Sequence, residues 1–250
     1  MQRDHYEEIV DIEYEIARTE YEIEQEEERK KKYPKLVYKY KSISNSVDLC
    51  RVLNILRTNR IFMPSAQVLN DPLEGLQSKM LGDYAYERKS ERNKYRVLAL
   101  SEDGLLATLW SHYADEYKGI CLCYRTVKAF SELYQVEYIN KQKTWSGDPE
   151  LSVIEDLKLK SADWAYEKEW RLIIRDEKNK KCFHDYNKEE LACVLLGHKM
   201  EPDVRDEIMK NIPSHVKVFT VLPDEEKFCL CAMDVDGHKA YNSQDILNLI

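Results

Sequence analysis

The sequence predicts an α+β domain whose mixed, largely antiparallel sheet is flanked by helices and preceded by an N-terminal amphipathic helix. Alternating apolar runs interleave irregularly with stretches of helical spacing, which is typical of α+β folds rather than doubly wound ones. The 250 residues contain no internal repeat. They include only seven glycines and no glycine-rich phosphate loop of either common type, which argues against P-loop nucleotide hydrolysis and classical dinucleotide binding.

Composition indicates an ordinary globular chain, with 43% hydrophobic and 34% charged residues. No run of about 20 apolar residues and no signal-peptide core is present, so we expect a cytoplasmic protein without membrane contact. The net charge of −8 does not support broad affinity for nucleic acid, although a local basic groove stays open. Seven cysteines, an odd count, favour reduced thiols. The two Cys-Leu-Cys triplets are spaced more closely than zinc sites favour, so we expect no metal.

Residues 1–34 are predicted to form a densely charged helix, and residues 35–250 a single α+β domain. Ile9, Ile12, Ile16 and Ile23 follow helical steps of three, four and seven. This apolar stripe fits either a helix docked on its own domain or one that self-associates or binds a partner protein.

After Pro34, alternation predicts strands and 3.6-residue spacing predicts helices. A helix capped by Ser46, with Asp48 in its first turn, keeps helical spacing to Leu56. Further helices are predicted at 77–94, 105–114, 127–135, 151–167 and 201–212. Strands are predicted at 36–41, 60–63, 96–103, 119–124, 136–142, 169–175, 190–197 and 216–222, followed by a C-terminal pair over 227–242.

Four polar and aromatic clusters, at 38–42, 69–75, 109–122 and 166–173, fall where the predicted elements meet their loops, which is where sites usually lie. In the last cluster, strand alternation directs Glu167, Glu169 and Arg171 to one face and Trp170 to the other. Two interpretations follow. The charged residues form an exposed ladder above a buried Trp170, or they are accommodated because their face is a solvated cleft or because Arg171 pairs with a carboxylate.

Two polar residues in these clusters have structural as well as functional interpretations. His112 fits a hydrogen-bonded structural histidine or a general base. Asp71, in the Asn70-Asp71-Pro72 sequence, fits a turn in which its side chain bonds nearby backbone, and it can also face the cleft.

Together the clusters resemble a bacterial family catalogued as domain of unknown function 2971, over about residues 36–222. The motifs that carry the resemblance are Tyr38-Lys39-Tyr40-Lys41-Ser42, Ile55-Leu56, Asn70-Asp71-Pro72, Leu100-Ser101-Glu102, Trp110-Ser111-His112-Tyr113-Ala114, Gly119-Ile120-Cys121, Glu167-Lys168-Glu169-Trp170-Arg171 and Leu195-Leu196-Gly197.

The order of these motifs is similar, more remotely, to the ADP-ribosyltransferase-like fold. That resemblance implies NAD as a substrate. It places Lys39 at the ribose-binding position of the first strand, Tyr113 or Trp110 against nicotinamide, and Glu169 as the catalytic carboxylate, with Glu167 as the second acid. Lys39 and Lys41 replace the His and Arg of some relatives, and an ammonium does not reproduce their planar geometry. The resemblance therefore implies a different nucleotide or phosphate group, or reduced chemistry.

The leading hypothesis is an ADP-ribosyltransferase-like enzyme, a toxin or antiphage defence effector, acting on a nucleotide such as NAD. The alternatives are a non-catalytic nucleotide- or nucleic-acid-binding defence sensor that signals through its N-terminal helix, and an assembly subunit. Glu169, Glu167 and Arg171 are the expected catalytic residues, with Arg171 positioning Glu169. The expected ligand-binding residues are Tyr38, Lys39, Lys41, Ser42, Asp71, Trp110, His112 and Tyr113.

Two expectations depend on this hypothesis. Residues 38–42 and 167–171 should open onto one shared hollow. Replacement of Glu169 by Gln should abolish NAD turnover with little change in melting temperature.

Overall fold

The computed structural model describes residues 33–69, 71, 73–74, 78–80, 90–145, 149–177 and 182–250. Residues 35–250 form one compact unit. The N-terminal helix expected over residues 1–34 lies almost wholly outside the described residues. None of the described helices is long and apolar enough to cross a membrane.

Strands and helices alternate irregularly along this unit. The strands are β1 Leu36–Lys41, β2 Arg60–Phe62, β3 Ser78–Met80, β4 Tyr95–Ser101, β5 Ile120–Arg125, β6 Leu133–Gln135, β7 Glu137–Ile139, β8 Lys143–Trp145, β9 Leu159–Ser161, β10 Glu169–Arg175, β11 Phe183–Asp185, β12 Leu191–Gly197, β13 Lys217–Asp224, β14 Cys229–Asp234 and β15 Ala240–Tyr241. The α-helices are α1 Ser46–Thr58, α2 Ala107–Tyr113, α3 Pro149–Asp156, α4 Pro202–Met209 and α5 Ser243–Leu249. Short 3-10 helices span Lys128–Phe130, Ala162–Glu167 and Lys188–Glu190.

Within the described ranges, nine strands form one sheet in the order β15-β14-β13-β12-β5-β1-β4-β10-β6. β12 and β13 run parallel, and every other neighbouring pair in this sheet is antiparallel. This arrangement confirms the predicted α+β class with a mixed, largely antiparallel sheet. It also places β1 and β10, which carry the first and last polar clusters, on either side of β4.

Helix α1 forms for the reasons that its sequence indicates, with one change at its start. Its apolar residues Val52, Leu53 and Leu56 are buried. The N-cap is Asn45 rather than the expected Ser46, because the Asn45 side chain accepts hydrogen bonds from the amides of residues 47 and 48.

The main core packs against one face of the sheet. Tyr38 and Tyr40 of β1 and the cysteines Cys121 and Cys123 of β5 are buried there together with Trp110 of α2. A second, smaller cluster brings Tyr95 and Val97 of β4 together with Val153 of α3 and Leu157. The cysteines of the first Cys-Leu-Cys triplet therefore serve as small apolar residues.

The sheet opens between β1 and β4. These strands pair at Tyr38 and Ser101, and no other pair is formed between them in the described chain. By contrast, β4 pairs with β10 along its whole length, from Tyr95 to Ser101. Over the rest of their length β1 and β4 are not hydrogen-bonded to each other. In this gap, side chains take the place of the backbone hydrogen bonds that would join the two strands.

Several predicted elements differ from the structure. The helix expected at 127–135 is a 3-10 turn followed by strand β6, and the helix expected at 151–167 ends at residue 156 and gives way to β9 and a 3-10 helix. Residues 78–80, within the expected helix 77–94, form a strand. Strand β11 and helix α5 were not predicted. Segments of three to eight residues carry too little periodicity to separate helix from strand, so tertiary pairing decides their state.

Candidate functional site

A cavity of about 200 Å³ lies at the opening between β1 and β4. Its polar lining consists of Lys39, Ser101, Tyr113, Lys160, Glu74, Glu167, Glu169 and Arg171, and its apolar lining includes Tyr38, Tyr40, Val97, Ala99 and Leu109. The first-strand and last-strand clusters thus reach one hollow from opposite sides of β4.

Glu169 and Arg171 form the ion pair at the centre of the site. They are 3% and 1% exposed. Arg171 donates from Nε to Glu169 Oε1 at 2.7 Å and from Nη2 to Glu169 Oε2 at 3.1 Å, which is the two-point geometry that guanidinium and carboxylate favour. Arg171 also donates to Leu157 O at 2.9 Å and to Glu74. Glu169 and Arg171 are therefore buried and paired, and the interpretation as an exposed ladder is wrong.

Lys160 of β9 joins the two glutamates of the Glu-Lys-Glu-Trp-Arg motif. Its Nζ donates to Glu167 Oε2 at 2.5 Å and to Glu169 Oε2 at 2.9 Å, and its side chain is 5% exposed. One ammonium therefore holds two carboxylates that would otherwise repel each other in a buried site.

Glu167 reaches this network from outside the strand. It is the last residue of the 3-10 helix Ala162–Glu167, and Lys168, with φ of 47°, turns the chain into β10. Its carboxylate accepts the Tyr113 hydroxyl at 2.7 Å, and its backbone carbonyl accepts Ser101 Oγ at 2.7 Å. Strand alternation was thus the wrong reason for grouping Glu167 with Glu169, since a helix end brings it there.

The electrostatics of the network fix the ionisation of its central acid. Burial opposes the ionised form of Glu169, but Arg171 and Lys160 outweigh it and lower the pKa of this carboxyl to about 2. Burial raises the pKa of the Glu74 carboxyl, although Arg171 opposes it. Burial raises the pKa of Tyr138 to about 12, and its hydroxyl accepts the Glu169 backbone N–H at 2.8 Å.

Lys39 occupies the gap between β1 and β4. Its Nζ donates to Ala99 O at 2.7 Å, in place of a ladder bond between the two strands. The side chain is half-buried. Burial and, next, Lys41 lower the pKa of Lys39 to about 7, while Glu169 and Glu167 act in the opposite direction.

Five of the expected ligand-binding residues are not among the described residues that line the cavity, namely Trp110, Lys41, Ser42, Asp71 and His112. Trp110 is fully buried in the main core, where its indole N–H donates to Gly104 O at 2.9 Å and its ring stacks on Tyr117. Lys41 lies near Arg51, and burial and that guanidinium lower its pKa. Ser42 follows β1 and is half-buried.

The fourth is Asp71, which is buried in a turn. Its Oδ1 accepts the amide of Leu73 at 2.9 Å, and its carbonyl accepts the amide of Glu74 at 3.0 Å. This is the expected bond from an Asx side chain to nearby backbone, and it sets the position of the cavity residue Glu74. Its neighbours Asn70 and Pro72 lie outside the described residues.

His112 belongs to a group of aromatic rings next to Tyr113, which we call the aromatic rim. The His112 ring packs edge-on against Tyr113 and Tyr166, and its Nδ1 lies 3.4 Å from the Tyr166 hydroxyl. Trp164 packs beside Tyr166, and Lys160 Nζ lies 5.0 Å from the centre of the Trp164 ring. His112 is exposed, and the other three rings are half-buried.

Sequence reasoning missed three members of the site, namely Lys160, Glu74 and Tyr138. Lys160 lies in a segment that was expected to be helical, so its strand position next to Glu169 had no visible signal. Glu74 lies within the 69–75 cluster but was given no role, because loop residues carry no periodic pattern that links them to a distant strand. Within the described ranges, no group of three or more His, Cys, Asp or Glu side chains could hold a metal ion.

Comparison with known families adds one finding at this site. Residues 109–172 match the family described as Protein of unknown function (DUF2971). The DUF2971 match covers less than half of the chain, and it spans Tyr113, Lys160, Glu167, Glu169 and Arg171 while leaving out Lys39 and Glu74. No curated protein and no solved structure shows significant similarity to the chain.

Proposed function

We propose that the cavity binds the nicotinamide and ribose end of NAD, or a nucleotide of the same chemistry, and that the protein cleaves the bond between ring and ribose. The observation that carries this proposal is the pair of buried carboxylates, Glu167 and Glu169, held by Lys160 at the cavity wall. Departure of neutral nicotinamide leaves positive charge on the ribose, as in an oxocarbenium-like transition state. Fixed negative charge in a water-poor site stabilises such a state.

The charges of the cavity suit a cationic ring. Three carboxyl groups and three basic groups line it, but the pKa of Lys39 is lowered to about 7, so about half of this amine is neutral at pH 7. Lys160 and Arg171 are each engaged by carboxylates. The nicotinamide ring of NAD carries a positive charge, which such a lining attracts.

The size of the cavity determines which part of the ligand enters. Pockets that enclose whole drug-sized ligands have volumes of about 300–1,000 Å³, whereas this one has about 200 Å³. It is therefore suited to one ring and one sugar, and the rest of a dinucleotide lies outside. The aromatic rim adjoins Tyr113 and offers ring faces and edges for a base.

The two acids have different tasks in this proposal. Glu169 is fixed by Arg171 and Lys160, so it supplies a permanent negative charge with Arg171 as its positioning residue. Glu167 has one contact to Lys160 and one to the Tyr113 hydroxyl. It is the carboxylate better able to orient an acceptor hydroxyl or water.

The experiment measures release of nicotinamide from NAD by the purified protein. The wild-type protein should release nicotinamide, and Glu167→Gln should lower the rate by about 100-fold, which is within the range for loss of a group that positions and deprotonates an attacking hydroxyl or water. Glu137→Gln is the matched control, because Glu137 pairs with Lys143 outside the cavity lining and is 57% exposed. An unchanged rate in Glu167→Gln would contradict the assigned role.

A non-catalytic nucleotide sensor is the second candidate, and one observation favours it. The two cations on Glu169 lower its pKa to about 2, which makes it a weak base and a weak nucleophile. Calorimetry separates the two functions, since a sensor binds NAD or another nucleotide without releasing nicotinamide. No heat of binding with any nucleotide tested would contradict both functions and support the role of an assembly subunit.

The biological role that we propose is that of a toxin or antiphage defence effector, and it is supported by the motif resemblance alone. Expression of the wild-type chain in bacteria should slow growth, whereas expression of Glu167→Gln at the same level should not. Equal growth with both chains would contradict a role based on NAD loss.

A further inference from the structure

Lys39 differs from the other two basic residues of the cavity in its partners. Lys160 and Arg171 both contact carboxylates. In the described part of the chain, the partner of Lys39 Nζ is a main-chain carbonyl, Ala99 O at 2.7 Å, and no carboxylate lies within ion-pair distance. A neutral amine can also donate this hydrogen bond, and unlike an ammonium it keeps its lone pair.

The surroundings of Lys39 favour that neutral form. Burial lowers its pKa to about 7, and the groups that act on it are Lys41 of the same strand, Glu169 of β10, Glu167 at the end of the 3-10 helix and Lys160 of β9. Desolvation is the usual means by which proteins make a lysine nucleophilic.

We propose that Lys39 is a nucleophilic amine that condenses with the carbonyl group of a small aldehyde in this cavity. The nitrogen lone pair attacks the carbonyl carbon and forms a C–N bond, which gives a carbinolamine. The carbon–oxygen bond then breaks, and the oxygen leaves as water with the two protons of the amine. The product is an imine, and no group is oxidised or reduced.

The cavity lining indicates the class of aldehyde. The cations Lys160 and Arg171 are already paired, so the described lining offers no unpaired cation for a phosphate or carboxylate when Lys39 is neutral. The Tyr113 hydroxyl and the glutamate oxygens suit hydroxyl groups instead. A volume of about 200 Å³ fits a short, neutral hydroxyaldehyde, such as an open-chain sugar. This activity needs only the cavity and the amine, so it does not depend on NAD cleavage.

Reductive trapping tests the proposal on the intact wild-type chain. The protein is incubated at pH 7 with D-glyceraldehyde and cyanoborohydride, which reduces an imine to a stable secondary amine, and labelled lysines are mapped by peptide mass spectrometry. About half of Lys39 is neutral at pH 7, compared with about one in 2,500 for an ordinary lysine. Lys39 should therefore be labelled at least about tenfold faster than the exposed Lys118, even with restricted access.

Lys160 is an internal control, because it lines the same cavity but is held by two carboxylates. It should stay unlabelled while Lys39 reacts. The labelling rate of Lys39 should level off above about pH 8. Labelling of Lys39 at or below the rate of Lys118, or equal labelling of Lys39 and Lys160, overturns the proposal. The label at position 39 should be lost in Lys39→Arg and kept in Lys118→Arg. If Lys39→Arg does not fold, the relative labelling of Lys39, Lys118 and Lys160 in the wild-type protein tests the proposal.

Discussion

Replacement of Glu169 by Gln removes one negative charge from the buried network with almost no change in shape. Glutamine mimics a protonated glutamate, so the ionisation of Glu169 gives the size of the effect. Its pKa is lowered from 4.5 to about 2. Each pKa unit corresponds to about 1.4 kcal/mol, so the carboxylate stabilises the folded state by roughly 3 kcal/mol at pH 7.

The same two pKa values determine how the stabilising effect of the Glu169 carboxylate depends on pH. A carboxyl group with a lowered pKa in the folded state contributes its full stabilisation above its unfolded pKa of 4.5, and it loses that contribution as the pH falls through about 2. At pH 3.5, between these two values, about 2 kcal/mol of the contribution remains. The free-energy difference between wild type and Glu169→Gln should therefore shrink between pH 7 and pH 3.5.

Urea denaturation followed by tryptophan fluorescence measures this difference. We expect a loss of about 3 kcal/mol at pH 7, which corresponds to a melting temperature lower by roughly 6–12 °C in a chain of this size. This replaces the expectation from sequence that the melting temperature would hardly change. Glu137→Gln is the control and should lose at most about 1 kcal/mol, since its ion pair is half exposed to solvent. A loss below about 1 kcal/mol in Glu169→Gln, or one that does not change with pH, would refute the paired carboxylate.

Four further substitutions test the fold by urea denaturation. Gly197→Ala should lower the free energy of unfolding by about 3 kcal/mol, because an added Cβ would lie 1.9 Å from Tyr117 O. Gly237→Asn is its control and should lower this free energy by less than about 1 kcal/mol, because Gly237 has open space around it and its φ of +70° is one that asparagine adopts. Asn45→Ala should cost about 1 kcal/mol through loss of the α1 N-cap, and no loss would contradict that cap. Phe228→Ser should change stability by less than about 0.5 kcal/mol, since this ring is 98% exposed, and a large loss would mean that the ring is covered.

Long periodic segments of the sequence allowed their secondary structure to be predicted, whereas short ones did not. Strand β10 and helix α1 extend over seven and 13 residues, and both were predicted at nearly their observed positions. Strand β6, with three residues, was predicted as helix because Leu133 fits either period. Whether a short segment forms a helix or a strand depends on the strand with which it pairs, and sequence periodicity does not identify that strand.

For the site, sequence alone determined that acids and a guanidinium enter the sheet at 167–171 and that a lysine lies on the first strand at 39. Whether those charges were exposed or buried was decided by the tertiary structure. Lys160 and Glu74 come from segments far from β1 in sequence, and their side chains complete the pairing of Glu169 and Arg171. The sequence specifies which ionisable groups the chain carries. Their ionisation depends on the distances between them and on the exclusion of water, and both are set only by the folded arrangement of β1, β4, β9 and β10.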